Sequence, residues 1–335
     1  MPFCTLDLSR PEARRVSRLA AGARMSPIQE EVHAMTETAD TKELYRLSPL
    51  LEDTELQILS SVVQARFAAL SHLGKVRKVN EDHYLVTKLD RSQETLLTNL
   101  SEGDLPPRFA EWGYGMVVAD GMGGAANGEV ASSLAISTLM QLMLHFGKWN
   151  LRINERVAQE VIKRAERFYQ SVDEAVAREG REDPSRAGMG TTLTATFSAG
   201  RDLFVANVGD SRAYLFRNNR LLQVTRDQTY SQLLADTGQI PQRDVSTHPL
   251  RHILTQAIGT GTAKVQIKRL PLRDGDCLLL CTDGLTEMVA DEEIAAVLMR
   301  EENPDEACKT LVDLALEHGG NDNVTVVIGK YEIPE

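Results

Sequence analysis

The stretch MVVADGMGGAANGE, residues 116–129, decides how the rest of the chain is read. Met116 to Ala119 is an apolar, β-branched run with the length of a buried strand. It ends in Asp120, Gly121, Met122, Gly123 and Gly124, and an apolar helical pattern starts near Glu129. A carboxylate at the end of a core strand, followed by glycines that let backbone approach closely, suits a hard cation or a phosphate. Asp-Gly is also an ordinary turn pair. The reading therefore depends on whether other carboxylates join Asp120.

Outward from this stretch the pattern alternates between strands and helices. Downstream, Val130, Leu134, Leu139, Leu142 and Met143 describe one helix, and Val157, Val161, Ala165, Phe168, Val172 and Val176 describe a second with i, i+3/i+4 rhythm. Strands are then expected at 191–198, 202–208, 212–217 and 221–225, spaced tightly enough to be antiparallel hairpins, with Asn218-Asn219 as one turn. Residues 226–252 are polar, contain Gly238, Pro241 and Pro249, and read as a mobile excursion. A strand at Cys277–Cys281, helices at 292–301 and 305–318, and a last strand at 324–329 complete the C-terminal part. Upstream, strands are expected at 66–71 and 84–87, and the polar residues 88–111 read as a loop insertion. Residues 1–62 form an extension with scattered arginines and little periodicity, with short helices expected between Leu44 and Val63, broken by Pro49. The domain proper is placed at 63–332.

Acids recur at the ends of these strands: Glu81 and Asp82, Asp120, Asp210, Asp283 and Asp322. One acid is a turn, but five separate stretches, most with a neighbouring glycine, require another cause. If the sheets pack face to face, the strand ends converge on one cleft, where clustered carboxylates repel unless cations neutralise them. Oxygen-only ligands point to Mg²⁺ or Mn²⁺ rather than zinc. Two such metals about 3.5–4 Å apart can bridge a hydroxide and clamp a phosphoryl group, and Arg77 supplies a fork for phosphate. The chemistry that fits is phosphate monoester hydrolysis. Kinase and P-loop readings fail, because the chain has no Gly-Lys-Ser/Thr and no His-Arg-Asp loop.

In order and spacing, Arg77-x-x-Asn80-Glu81-Asp82, Asp120-Gly121-Met122-Gly123-Gly124, Gly190-Thr191-Thr192, Val208-Gly209-Asp210-Ser211-Arg212, Thr282-Asp283-Gly284-Leu285 and Asn321-Asp322-Asn323 resemble the motifs of metal-dependent serine/threonine phosphatases, the type 2C or PPM family in its bacterial form. The resemblance spans roughly 64–331. It implies an α+β fold, a four-layer α-β-β-α sandwich around two mainly antiparallel sheets. It also implies that Asp120 bridges two metals, that the Gly121 carbonyl and Glu81 serve the second, and that Asp283 and Asp322 hold the first. Asp82 would orient the attacking water, which is bridged between the two metals, and Arg77 would bind the substrate phosphate. Asp210, with Asp283, would form a third, weaker site, and residues 226–252 would be the flap near the site. Three departures stand out: Met122 where animal members carry a histidine, Gln228 where a histidine commonly follows the aspartate, and the extra residues at 1–62 and 88–111.

The resemblance implies removal of phosphate from phosphoserine and phosphothreonine on proteins, opposing a cognate serine/threonine kinase. The alternatives are a catalytically dead binding module of the same fold, or a phosphatase dedicated to one regulatory partner; dead relatives lose metal acids, and here all are present. Bulk properties agree. The formal net charge is −11, which argues against nucleic acid as a partner. The composition is 42% hydrophobic and 25% charged, ordinary for a soluble globular protein. No stretch has the length of a membrane span and no apolar signal core opens the chain, so a cytoplasmic monomer without membrane contact is expected. Cys4, Cys277, Cys281 and Cys308 show no Cys-x-x-Cys pairing and are read as unbridged, with Cys277 and Cys281 in the core.

Overall fold

The structure, a computed structural model, describes residues 63–101, 108–123, 127–147, 151 and 153–333. The helices expected between 44 and 63 lie outside these residues, apart from buried Val63. Eleven strands among the described residues build two sheets. One runs β1 (Gln64–His72), β11 (Val324–Glu332), β10 (Cys277–Cys281), β7 (Arg212–Arg217), β8 (Arg220–Gln223). The other runs β2 (Asp82–Glu94), β3 (Arg108–Met122), β5 (Leu193–Ala199), β6 (Asp202–Val208), β9 (Gln266–Pro271), with β4 (Gly190–Thr191) added on the end of β3. Every pairing is antiparallel.

The alternation of side chains along each strand sorts the core into layers. Met116 and Val118 of β3 meet Leu278 and Leu280 of β10 between the sheets. Their neighbours Val117 and Ala119 face α1 (Asn127–Phe146) and α2 (Glu155–Glu182) instead. Cys277, Leu279 and Cys281 face α5 (Asp291–Arg300) and α6 (Pro304–Glu317) on the opposite side. This is the expected α-β-β-α sandwich. Strand β10 is apolar at every position because both of its faces are covered.

Local signals fix the outer layers. Asn154 caps α2 by accepting from the Val157 amide at 2.9 Å, and Tyr169 fastens the helix to the sheet by donating to the Ala206 carbonyl at 3.1 Å. Asn303 caps α6, with Pro304 in its first turn. Asn218 and Asn219 take φ of 52° and 58°, as the two-residue hairpin between β7 and β8 requires.

Three expectations change. Residues 88–111 are not simply a loop: β2 and β3 form one long hairpin, paired from Asp82–Asp120 to Glu94–Arg108. Strand β2 is exposed from Asp90 outward, and cross-strand contacts such as Lys88 over the Trp112 ring (4.0 Å) tie it to β3. Strand β9 was not expected, since QIKRLP alternates poorly; it pairs with β6 at the sheet edge. The excursion 226–252 contains a capped helix, α3 (Tyr230–Asp236), and a 3₁₀ turn at Gln242–Thr247. The short α4 (Asp283–Thr286) follows β10 directly.

Candidate metal centre

The ends of β2, β3, β10 and β11 converge at one edge of the sandwich. Asp82 and Asp120 are register partners on β2 and β3. Asp82 is 5% exposed, and its Oδ2 accepts from the hydroxyls of Thr282 (2.8 Å) and Thr325 (2.7 Å). Those threonines belong to the other sheet's side, so Asp82 is a polar tie between sheets. Its Oδ1 is buried and has no hydrogen-bond partner, and the same holds for Asp283 Oδ1 at the start of α4.

Asp322 lies in the turn before β11. Its Oδ1 accepts from the Asn323 amide at 2.8 Å, and its Oδ2 meets Arg77 Nη2 at 2.5 Å. Asn323 organises the loop that carries Arg77 and Glu81: its Oδ1 accepts from the Glu81 amide at 2.8 Å, while Nδ2 donates to the carbonyls of Leu73 (2.9 Å) and Val79 (3.0 Å). Glu81 Oε1 in turn accepts from the Gly128 amide, at 3.2 Å, as α1 begins. The glycine at 121 answers to close backbone approach, since a Cβ there would stand 2.1 Å from the Gly128 carbonyl oxygen and 2.8 Å from that of Glu81.

Asp210 sits in the β6–β7 turn after Gly209, whose φ is +105°. Arg212 does not face a ligand; it grips Asp227 through Nε (3.0 Å) and Nη2 (2.7 Å). Gln228, at the position of the missing histidine, joins the flap root to that turn: its Oε1 accepts from the Gly209 amide at 2.8 Å, and Nε2 donates to the Lys264 carbonyl at 3.0 Å. Of the histidines, His72 and His248 serve local turns. His83 instead meets the Ser132 hydroxyl at 2.9 Å, and His252 reaches the acid cluster. The latter pairs with Glu287 at 2.5 Å, and donor atoms of His252, Asp283 and Glu287 all lie within 4.8 Å of one another.

The acids raise one another's proton affinity. Burial, then the charges of Asp82, Asp283, Asp210 and Asp322, push Asp120 well above the ordinary carboxylate range. Burial lifts Asp82 to about 7 against the pull of the two threonine hydroxyls, and lifts Asp283 to about 6 together with Glu287 and Asp322. Asp210 is raised by burial and then by Asp283 and Asp227. A cluster in this state is stable only if it holds protons or cations. The donors are hard oxygens, two of them buried without partners, which fits Mg²⁺ or Mn²⁺. Among the described residues the thiols are inert: burial pushes Cys277 and Cys281 up to about 12, and they are free, as is Cys308.

The structure thus gathers Asp82, Asp120, Glu81, Gly121, Asp283, Asp322 and Arg77 at one edge, with Asp210 in the adjoining turn. Sequence reasoning assigned no role to Thr282 and Thr325, which hold Asp82, or to Asn323, which sets the Arg77–Glu81 loop. The threonines had a signal, since both are polar residues within or beside apolar strands.

The chain is similar to one family of known proteins. The family described as Protein phosphatase 2C matches residues 108–313. The serine/threonine protein phosphatase PstP of Mycobacterium tuberculosis is 37% identical over 264 residues, covering 78% of this chain and 44% of its own length. The chain therefore matches less than half the length of that relative. The serine/threonine phosphatase stp of Listeria welshimeri is 36% identical over 214 residues, 64% of this chain and 82% of its own. Among solved structures, the catalytic domain of PstP in complex with two manganese ions superposes with a TM-score of 0.63 at 32% identity, covering 81% of this chain and 99% of that one.

Proposed function

Because the chain belongs to the protein phosphatase 2C family, we propose that it hydrolyses phosphoserine and phosphothreonine on proteins with the help of Mn²⁺ or Mg²⁺, reversing a serine/threonine kinase. The observation that carries this reading is the cluster of Asp82, Asp120, Asp283 and Asp322, in which one oxygen each of Asp82 and Asp283 is buried without a partner. Asp120, Asp283, Asp322, Glu81 and the Gly121 carbonyl are the groups that would hold two cations, with Asp210 and Asp283 available to a third, weaker one. When bound, the cations supply positive charge that activates water and stabilises charge growing on phosphoryl oxygens.

The protein's own groups do the rest. Asp82, fixed through Oδ2 by two threonines, presents Oδ1 as the acceptor that holds and aligns the attacking water. Arg77 is half-exposed, and its fork reaches a phosphate oxygen while keeping Asp322 in place. Met122 cannot donate a proton, so the departing serine or threonine oxygen takes its proton from water. The substrates are phosphorylated proteins, the protein acts as a monomer in the cytoplasm, and no described helix is long and apolar enough to cross a membrane. Hydrolysis of a phosphothreonine peptide with Mn²⁺, with EDTA, and by Asp283→Asn tests the reading. Turnover that EDTA and the substitution abolish supports it; a folded protein with no turnover under any divalent metal overturns it.

A further inference from the structure

Asp173 is a carboxylate in the middle of α2, 3% exposed and far in sequence from every motif above. Its partners are all backbone amides of one segment. Oδ1 accepts from Gly259 (2.7 Å) and Gly261 (3.0 Å), and Oδ2 accepts from Ala263 (2.9 Å). Three charge-assisted bonds to alternate residues hold the segment in a bend that no regular element supports. Gly259 and Gly261 take positive φ of 102° and 76° in this bend. At Gly259 a Cβ would lie 2.8 Å from the Met189 carbonyl oxygen, so the bend also presses on the residue before β4.

The segment connects two parts of the metal centre. Ile258 exchanges both backbone hydrogen bonds with Thr191 (2.9 and 3.0 Å). Thr191 is the register partner of Gly121, and its hydroxyl donates to the Asp120 carbonyl at 2.8 Å. The next residue, Thr192, closes the bracket: its amide donates to the same carbonyl at 2.9 Å, and its hydroxyl accepts from the Asp120 amide at 2.9 Å. In the other direction, the Thr255 amide donates to the Gln228 carbonyl at 2.7 Å, and Thr229 bridges to Leu254 at the flap root. Backbone from 254 to 263 is therefore a strap fastened to the Asp120–Gly121 turn and to the flap, and Asp173 is its buried anchor.

We infer that Asp173 is a positioning residue, which sets the strap at 254–263 and through it both the Asp120–Gly121 cation ligands and the root of the flap. It touches neither cation nor substrate. The inference rests on the metal-dependent reading of the site, but the strap itself can be observed without it. Asp173→Ala deletes all three acceptors. Asp173→Asn keeps one oxygen and turns an NH₂ towards the remaining amide, which gives a milder version if the alanine variant does not fold. Leu311→Ala, at a fully buried position of α6 on the opposite face of the sandwich, loosens packing away from the strap.

Hydrogen exchange by mass spectrometry on the full chain in EDTA, followed by Mn²⁺ titration calorimetry, separates the possibilities. Both Asp173 variants are expected to exchange at least tenfold faster over 258–263 and over 190–192. Their Mn²⁺ affinity falls about ten- to a hundredfold, as for other residues that orient metal ligands, and KM for a phosphopeptide rises along with any loss in kcat. Leu311→Ala lowers the melting temperature and leaves Mn²⁺ affinity unchanged. Unaltered exchange at 190–192 in Asp173→Asn, or Mn²⁺ affinity within twofold of the parent, overturns the inference. If the parent itself binds no Mn²⁺, the proposed function fails, and the exchange data still decide whether Asp173 governs the strap.

Discussion

Replacing Asp283 by Asn should change the sign of its effect on stability when divalent metal is added. In the metal-free protein, burial and its acidic neighbours raise Asp283 from 3.8 to about 6. A carboxyl raised in the folded state gives stability that is complete below its unfolded value near 3.8 and is lost as pH rises through about 6. At pH 7.5 the folded protein therefore carries a cost of about 3 kcal/mol from this one group, at about 1.4 kcal/mol per tenfold change in proton affinity. Asn has no charge to desolvate, though an unpaired amide costs about 1–2 kcal/mol of its own. In EDTA at pH 7.5, Asp283→Asn should thus be more stable than the parent by about 1–2 kcal/mol, or roughly 2–8 °C in melting temperature for a domain of this size. With Mn²⁺ at a hundred times its dissociation constant, the parent gains about 2.7 kcal/mol per site, the variant gains much less, and the order inverts. Thermal melts from pH 5 to 8, with EDTA and with Mn²⁺, read this directly. A variant less stable than the parent in EDTA at pH 7.5 would refute the claim that the acids repel, and parallel curves with and without Mn²⁺ would refute their role as cation ligands.

Other substitutions isolate single contacts. Arg77→Ala should raise KM for a phosphopeptide about tenfold or more through loss of a charged phosphate contact, with Arg77→Lys in between, as steady-state kinetics will show. Gly121→Ala forces a Cβ to within 2.1 Å of the Gly128 carbonyl oxygen; it should cost about 1–3 kcal/mol in urea unfolding and weaken Mn²⁺ binding. Asp276→Ala strands Arg217, which holds that buried carboxylate through Nε (2.7 Å) and Nη2 (2.6 Å). It should lower stability by about 3–5 kcal/mol while Mn²⁺ affinity, measured under folded conditions, stays at the parent value.

The site was more legible than the fold around it, and the reason is chemical. A carboxylate at the end of a buried strand conflicts with its surroundings, and a conflict repeated at Glu81–Asp82, Asp120, Asp283 and Asp322 has only one economical resolution. Strands covered on both faces, such as Cys277–Cys281, were equally plain because burial leaves no polar position. What escaped was structure held by backbone or by partial exposure. Beyond Leu89, strand β2 has no buried face, so no alternation marks it. Strand β9 sits at an edge, and α3 is only seven residues long, so neither imposes a pattern. Asp173 escaped for a different reason: its three partners are main-chain amides of glycines and an alanine, and the sequence shows one acid among several on a helix.

The long β2–β3 hairpin has a consequence for what this chain can acquire. Its thirteen paired positions span about 40 Å at the rise of an antiparallel strand. Asp82 and Asp120 stand at one end and the connection beyond Glu94 at the other. Each added residue pair there extends the ribbon outward and leaves the register at Asp82 untouched, so growth at the tip is decoupled from the acids at the base. Lineages can lengthen, shorten or decorate this connection and remodel the outer surface while the chemistry is inherited intact. For the same reason, it is the position at which a fluorophore or an affinity handle can be inserted without displacing the acids at the base.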